Sequence, residues 1–170
     1  VYRDLNPNSK KNLSLKKSVD HAIPTDAQKF DFAVERFNGT EFEAVKTVDS
    51  EGDPIDYVAN NVNDKITVAL TEMSVGKNII RVREKVQAGY VTNIQEFYAV
   101  FDVKVVVSGG IEVKIPGSVT YYTEFDETAK DVKADSKISL TPTFNNTTSN
   151  EKGNLKLTKQ IEGSVTPEES

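Results

Sequence analysis

Apolar and polar residues alternate along most of the chain, and this alternation predicts β-strands. Leu13 and Leu15 alternate with polar residues in the first such segment, and Phe30, Phe32 and Val34 do so in the next. Successive side chains of a strand point to opposite faces, so each segment can place its apolar residues in a core. No helical period extends over enough residues to compete. The pattern therefore predicts an all-β protein, a sandwich of about eight to ten strands.

Three segments make this prediction specific. Asn38-Gly39 marks a hairpin, and a bulged turn that pairs Val34 with Ala44 keeps the apolar faces together better than a two-residue turn. The longest alternation predicts a central strand with one inward face: Phe97, Ala99, Phe101, Val103, Val105 and Val107. The last strand of the domain is predicted to carry Ile138, Leu140, Pro142, Phe144 and Asn146 on one face, with its proline at an edge or a break in pairing.

The opening strand pattern returns near the other end of the chain. Segment 12–17 reads Asn-Leu-Ser-Leu-Lys-Lys, and segment 154–159 reads Asn-Leu-Lys-Leu-Thr-Lys. We therefore expect a leader at 1–11, one β-sandwich domain at 12–148, and a linker with the first strand of a following domain at 149–170.

Composition excludes several classes of function. The 170 residues are 37% hydrophobic, enough for one sizeable core, and the net charge of −5 without a basic cluster argues against nucleic acid as a partner. Cysteine is absent and His21 is the single histidine, so disulfides, thiolate chemistry and His-rich metal sites are excluded, and we expect no metal or cofactor. No apolar run is long enough to span a bilayer.

Three polar residues occupy strand positions at which apolar ones are expected: Lys17, Glu84 and Asn146. Each has an ordinary explanation on its own, because strand-end lysines often extend to water, inward glutamates are usually paired, and asparagines often end strands. Strand alternation selects Lys17 rather than Lys16 and Asn146 rather than Asn145, and a bulge would reverse either choice.

Together the three residues suggest a chemical reaction. A neutral amine is a nucleophile, a carboxamide is an acylating centre with ammonia as its leaving group, and a protonated carboxyl can transfer the protons. Burial in an apolar core favours the uncharged forms of an amine and a carboxyl. Glu84 is expected to hydrogen-bond the Asn146 carbonyl, and the product is an amide between Lys17 and Asn146. The reaction occurs once, so the protein is not predicted to be an enzyme.

The order of these motifs carries a resemblance to a known family. Leu-x-Leu-x-Lys at 13–17, Phe-x-Phe-x-Val at 30–34, Val-Arg-Glu-Lys at 82–85 before Gly-Tyr, and Phe-Asn-Asn at 144–146 are followed by a fresh Leu-x-Leu-x-Lys. This order resembles the isopeptide-forming domains of Gram-positive, streptococcal major (backbone) pilins of the FctA or T-antigen type. The resemblance covers about residues 12–146.

The resemblance implies an immunoglobulin-like fold of the collagen-adhesin B type, in which the first and last strands are parallel neighbours. It implies that Lys17 supplies the amine, Asn146 the amide and Glu84 the catalytic carboxyl. It also implies a structural, extracellular subunit of a cell-wall pilus, with other pilin subunits as partners through sortase-catalysed linkage and host surface proteins as further candidate partners. Lys137 and Lys133 are the candidate lysines for that linkage.

Two other functions remain open at this point. A surface adhesin or ligand-binding β-sandwich would carry its specificity in loops such as 49–63 or 126–136. An enzyme would need a carboxylate pair, for which Glu84 with Asp102 or Glu124 is the candidate, although nothing in the sequence brings these residues together.

Overall fold

The computed structural model describes residues 10–149, and within this range the chain is all-β, as predicted, with one short 3-10 turn at Ala134–Ser136. The strands are β1 (Lys11–Val19), β2 (Asp31–Phe37), β3 (Phe42–Ala44), β4 (Lys46–Val48), β5 (Pro54–Asp56), β6 (Val58–Val62), β7 (Lys65–Leu70), β8 (Gly76–Glu84), β9 (Tyr90–Thr92), β10 (Glu96–Ser108), β11 (Ile111–Pro116), β12 (Thr120–Tyr122), β13 (Phe125–Asp126), β14 (Asp131–Val132), β15 (Lys137–Ile138) and β16 (Thr143–Thr148).

The main strands form two layers, and strand pairing continues without a break from one layer into the other. The first layer has the order β15-β12-β10-β8-β2, and the second has the order β7-β1-β16-β9. Strand β6 joins them, because its first half pairs with β2 and its second half pairs with β7. The core lies between the layers, where rings from both meet: Phe144 of β16 is 5.0 Å from Phe32 and 4.8 Å from Phe97, measured between ring centroids.

Strands β1 and β16 are adjacent and parallel, as expected for the first and last strands of the domain. Their register pairs Lys17 with Phe144 and Val19 with Asn146. Strand β1 is antiparallel to β7 on its other side, so it lies inside the layer rather than at its edge. The two strands that carry the amine and the amide are therefore direct neighbours.

The prediction that β10 faces the core along its whole length is wrong beyond Val103. Val105 is 39% exposed and Val107 is 68% exposed. β8 begins at Gly76, which pairs with Val103, so the rest of β10 pairs only with β11. Past this point β10 and β11 form a two-stranded hairpin that extends beyond the other strands of their layer, and the core does not continue beneath it, as the exposed valines show.

Two other local predictions are also wrong. The hairpin at Asn38 pairs Ala44 with Glu35 rather than with Val34, and its loop has four residues, between Phe37 and Phe42. The Asn38 side chain stabilises this longer loop by accepting hydrogen bonds from the amides of Thr40 and Glu41. The predicted strand from Ile138 to Asn146 is divided into β15 and β16, which belong to different layers. Leu140, in the crossing between them, is 80% exposed.

The predicted division of the chain stays a prediction. The leader at 1–11 and the segment at 149–170, with the repeated Leu155, Leu157 and Lys159, lie almost wholly outside the described residues.

Replacing Phe144 with alanine tests its place between the layers. Phe144 is fully buried and touches two other phenylalanines, so we expect Phe144→Ala to lower the free energy of unfolding by about 3–5 kcal/mol, through lost burial and the cavity it leaves. Urea denaturation measures the change. Leu140→Ala is the control, since that side chain is already exposed, and equal losses for the two variants would contradict the packing described.

Candidate functional site

Strand β1 places Lys17 in the core. Along this strand Leu13, Leu15, Lys17 and Val19 are buried, whereas the residues between them are exposed or half-buried. Lys17 is only 1% exposed, and its neighbour Lys16 is exposed. Because the lysine shares a face with two leucines, its amine has no path to water along the strand.

Strand β8 places Glu84 opposite Lys17, in the other layer. Glu84 is the last residue of β8 and is 0% exposed. Its backbone amide donates to the carbonyl of Gln95 at 2.8 Å, which holds the strand end in place. Arg81 and Arg83 point the other way and bind Glu35, so these arginines do not neutralise the buried carboxyl.

Strand β16 places Asn146 beside β1. Asn146 is 0% exposed and follows Phe144 on the inward face, as alternation predicts. Asn145 points to the other face, where its Oδ1 accepts a hydrogen bond from Ser18 Oγ at 2.6 Å. The structure therefore brings the inward lysine and the inward asparagine to the same side of the β1–β16 pair.

The three side chains meet at the Glu84 carboxyl. Lys17 Nζ lies 3.1 Å from Glu84 Oε1 and 3.3 Å from Oε2, and Asn146 Nδ2 donates to Oε2 at 2.5 Å. The expected contact between Glu84 and the Asn146 carbonyl is not formed, because the amide nitrogen faces the carboxyl instead. Among residues 10–149, Asn146 Oδ1 has no hydrogen-bond partner although it is buried.

Aromatic rings form the wall of this cluster. Lys17 Nζ lies 4.3 Å from the centroid of the Phe30 ring, and Tyr90 packs edge-on against Phe30 at 4.9 Å. Phe32 pairs with Glu84 across β2 and β8. Sequence reasoning placed Phe30 in the core but did not connect it with the site, since only the three-dimensional packing brings its ring under the amine.

Burial lowers the pKa of the Lys17 amine, and the nearby Glu84 carboxyl opposes that shift. The burial effect is the larger of the two, because an ammonium loses its hydration in the core and regains only one charged partner. Forming the neutral amine therefore costs less free energy at Lys17 than at an exposed lysine.

The remaining candidate residues lie outside this cluster. Lys137 is exposed on β15, and Lys133 Nζ is 3.1 Å from Glu124 Oε1 at the surface, where the hydrogen bond to Glu124 raises the pKa of Lys133. Asp102 pairs with Lys77 at the start of β8, whereas Glu84 ends that strand. Neither Asp102 nor Glu124 is therefore brought to Glu84 as a second carboxylate.

A scan against protein-family models and a search of curated proteins found no match for this chain. In the described range no helix is long and apolar enough to cross a membrane, and no group of three or more His, Cys, Asp or Glu residues could hold a metal ion. Fold and site together define an all-β protein in which an amine, a carboxyl and a carboxamide are buried between two parallel neighbouring strands and the opposite layer.

The lowered pKa of Lys17 predicts a pH dependence of stability in Asn146→Ala, a variant that lacks the carboxamide with which the amine is expected to react. In Asn146→Ala, the folded state binds the Lys17 proton less tightly than the unfolded chain does. Between the folded pKa and the ordinary 10.5, the unfolded state therefore carries more protons, and the free energy of unfolding rises with pH. Urea denaturation at several pH values measures this slope.

The matched control is Asn146→Ala with Lys17→Met, which keeps every other titrating group. Subtracting its pH profile isolates the Lys17 contribution. A difference that falls with rising pH across that window would show that the amine is stabilised as an ammonium.

Proposed function

We propose that this chain is a self-cross-linking structural subunit of an extracellular fibre, a pilus of the Gram-positive type, and that it forms one amide bond between Lys17 and Asn146. The observation that carries the proposal is the buried contact of Lys17 and Asn146 with a single carboxyl, Glu84, between neighbouring parallel strands. No other ionisable cluster in residues 10–149 combines a nucleophile, an acyl centre and a proton carrier in this way.

The first step is a proton transfer that removes both charges. Lys17 Nζ gives a proton to Glu84 across 3.1 Å, which leaves a neutral amine and a carboxylic acid. A rotation of the Asn146 carboxamide by half a turn exchanges its two ends, so that the acid donates to the orphaned Oδ1. That hydrogen bond draws electron density from the carbonyl and favours attack by the amine on Cγ.

The second step releases ammonia. The new N–C bond forms between Lys17 Nζ and Asn146 Cγ as the Glu84 acid gives its proton to Oδ1, and the resulting carboxylate takes a proton from the attacking nitrogen. Glu84 delivers that proton to Asn146 Nδ2, the C–N bond to that nitrogen breaks, ammonia leaves, and the Oδ1 proton returns to Glu84 as the carbonyl re-forms. Glu84 ends as the acid, with the proton that Lys17 gave it in the first step, whereas the amine and the carboxamide are consumed, so the reaction has no second turnover.

The apolar surroundings favour this outcome over hydrolysis. Phe30, Phe32 and Phe144 are each 0% exposed and lie within the core that contains the three reacting groups. A dry site destabilises the charged forms and excludes the water that would compete with the amine for Asn146.

The bond would change how the domain carries tension. Force applied at the start of β1 and the end of β16 would otherwise be resisted by hydrogen bonds worth about 1 kcal/mol each. With the amide formed, force passes from β1 through Lys17 and Asn146 into β16 and bypasses the chain between them. Closing that loop of about 130 residues also stabilises the fold by about 5 kcal/mol in the chain-entropy relation.

The fibre assignment rests on the resemblance to backbone pilins and on this mechanical logic. A chain without cysteine has no disulfide to resist extension, and an internal amide supplies a covalent substitute. Linkage between subunits needs an accessible lysine; Lys137 meets this condition, and Lys133 does so less well because its amine is paired with Glu124.

Intact-mass measurement tests the amide directly. We expect the folded protein to be lighter than its calculated mass by one ammonia, and a linked peptide containing Lys17 and Asn146 after proteolysis. Lys17→Met, Glu84→Ala and Asn146→Ala should each show the full calculated mass. Lys16→Met is the matched control and should keep the loss, since Lys16 is exposed. Full mass in the unaltered chain would remove the proposal.

Single-molecule stretching tests the mechanical role. Cysteines added at the two ends are unique attachment points, because the chain has none of its own. Unfolding of Lys17→Met should release about 130 residues, or roughly 440 Å of extended chain at about 3.4 Å each. The unaltered domain should show no such release up to the force at which the attachments fail. A similar extension in both proteins would contradict the proposed path of tension.

A further inference from the structure

A second set of contacts joins β1 and β16 just outside the reacting cluster. Ser18, Asp20 and His21 at the end of β1 hold Asn145 and Thr148 of β16, and we call these five residues the terminal clasp. Asn145 and Thr148 lie on either side of Asn146 along β16.

The clasp is built from four hydrogen bonds. Asn145 Oδ1 accepts from Ser18 Oγ at 2.6 Å and from the His21 amide at 3.0 Å. The Asp20 carboxylate accepts the Thr148 amide at 3.0 Å and the Thr148 hydroxyl at 2.5 Å. These bonds from Thr148 lower the pKa of Asp20.

A tight turn presents two groups of the clasp, the His21 amide as a donor and the Asp20 carboxylate as an acceptor. Val19 and Ala22 exchange backbone hydrogen bonds of 3.0 and 2.9 Å, and the two residues between them have positive φ, 50° at Asp20 and 62° at His21. Few residue types accept this conformation, and Asp and His are among those enriched in it. The turn directs the His21 backbone amide to Asn145. The Asp20 backbone amide donates to the backbone carbonyl of Asn146 at 2.8 Å.

We propose that the terminal clasp positions Asn146 for amide formation by holding its segment of β16 against β1 until the bond exists. This inference rests on the proposed function. Parallel pairing is slightly weaker per residue than antiparallel pairing, and β1 and β16 are the most distant strands of the domain in sequence. The buried, unpartnered Asn146 Oδ1 further favours opening of this segment. The clasp opposes that opening at the residue before Asn146 and at the second residue after it.

A clasp that positions Asn146 matters before the amide forms, whereas a purely structural clasp would matter equally before and after. Before the reaction, the clasp sets how often the carboxamide lies against Glu84 and so sets the rate. After the reaction, the amide itself holds β1 to β16, and the clasp adds little. The rate of amide formation should therefore respond to clasp substitutions, whereas the thermal stability of the finished, cross-linked protein should hardly change.

The test follows amide formation in time. The full chain is made by a short pulse of cell-free synthesis, samples are quenched in denaturant, and the fraction lighter by one ammonia is measured. Asp20→Gly removes the carboxylate without straining the positive φ, and Ser18→Ala removes one donor to Asn145. Ser18→Thr keeps the hydroxyl donor. Asp20→Asn keeps one oxygen that can accept the Thr148 amide, and its Nδ2 can donate to the Thr148 hydroxyl in place of the bond that the second oxygen accepted. Asp49→Gly is the matched control, because Asp49 likewise accepts two hydrogen bonds, both of them from backbone amides in the β4–β5 hairpin.

We expect Asp20→Gly to slow amide formation by about thirtyfold, the effect of losing two net hydrogen bonds, and Ser18→Ala by about fivefold, the effect of losing one. Asp20→Asn and Ser18→Thr should restore most of the rate, and Asp49→Gly should match the unaltered chain. Equal rates in Asp20→Gly and the unaltered chain, or equal slowing by Asp49→Gly, would overturn the inference while leaving the amide itself in place. Full mass in the unaltered chain would overturn both.

Discussion

The structure depends on the burial of the Lys17 amine against Glu84. Removing two charges from water costs several kcal/mol for each ion, and their mutual attraction seldom repays it, so well-packed apolar residues usually stabilise a core better than a buried ion pair does. A protein that keeps such a pair at 1% and 0% exposure gains little stability from it. The pair makes physical sense if its purpose is reaction, because the same desolvation produces the neutral amine that attack on a carboxamide needs.

The proposed reaction would account for the arrangement of the strands. The amine and the amide must approach from strands whose side chains point into the same core, and the acid must approach from the opposite layer. Adjacent β1 and β16 supply the first two, and β8 supplies the third. Parallel pairing of β1 and β16 also places the start of one strand and the end of the other at opposite ends of the pair. Tension along the chain then shears this pair, the geometry in which one covalent bond protects most of the domain.

Alternation alone predicted the class of fold and the inward direction of Lys17, Glu84 and Asn146, because the side-chain period of a strand is two and the core permits no slip. Alternation did not predict burial or register correctly where these depend on how far the neighbouring strands extend. Val107 has the pattern of a buried residue, yet it is 68% exposed, in the part of β10 that pairs only with β11. The register at Asn38 depended on a side chain that caps its own loop.

The terminal clasp was missed for a similar reason. Ser18 and Asn145 lie on the outer face, where polar residues are expected and carry no signal, and only the parallel register brings them together.

The orphaned oxygen of Asn146 connects the ground state with the product. In the structure, Asn146 Nδ2 donates to the Glu84 carboxyl, and the buried Oδ1 has no hydrogen-bond partner in residues 10–149. Leaving that oxygen unpaired costs about 1–3 kcal/mol of stability. Once the lysine proton reaches Glu84, the carboxyl becomes a donor, and the oxygen is the acceptor it can use. In the proposed reaction, loss of ammonia would then remove the surplus N–H groups and leave one carbonyl facing one acid. In the proposed reaction, the proton transfer that begins the chemistry, followed by rotation of the carboxamide, would therefore also give the unpartnered oxygen a donor, which lowers the cost of reaching the reacting arrangement.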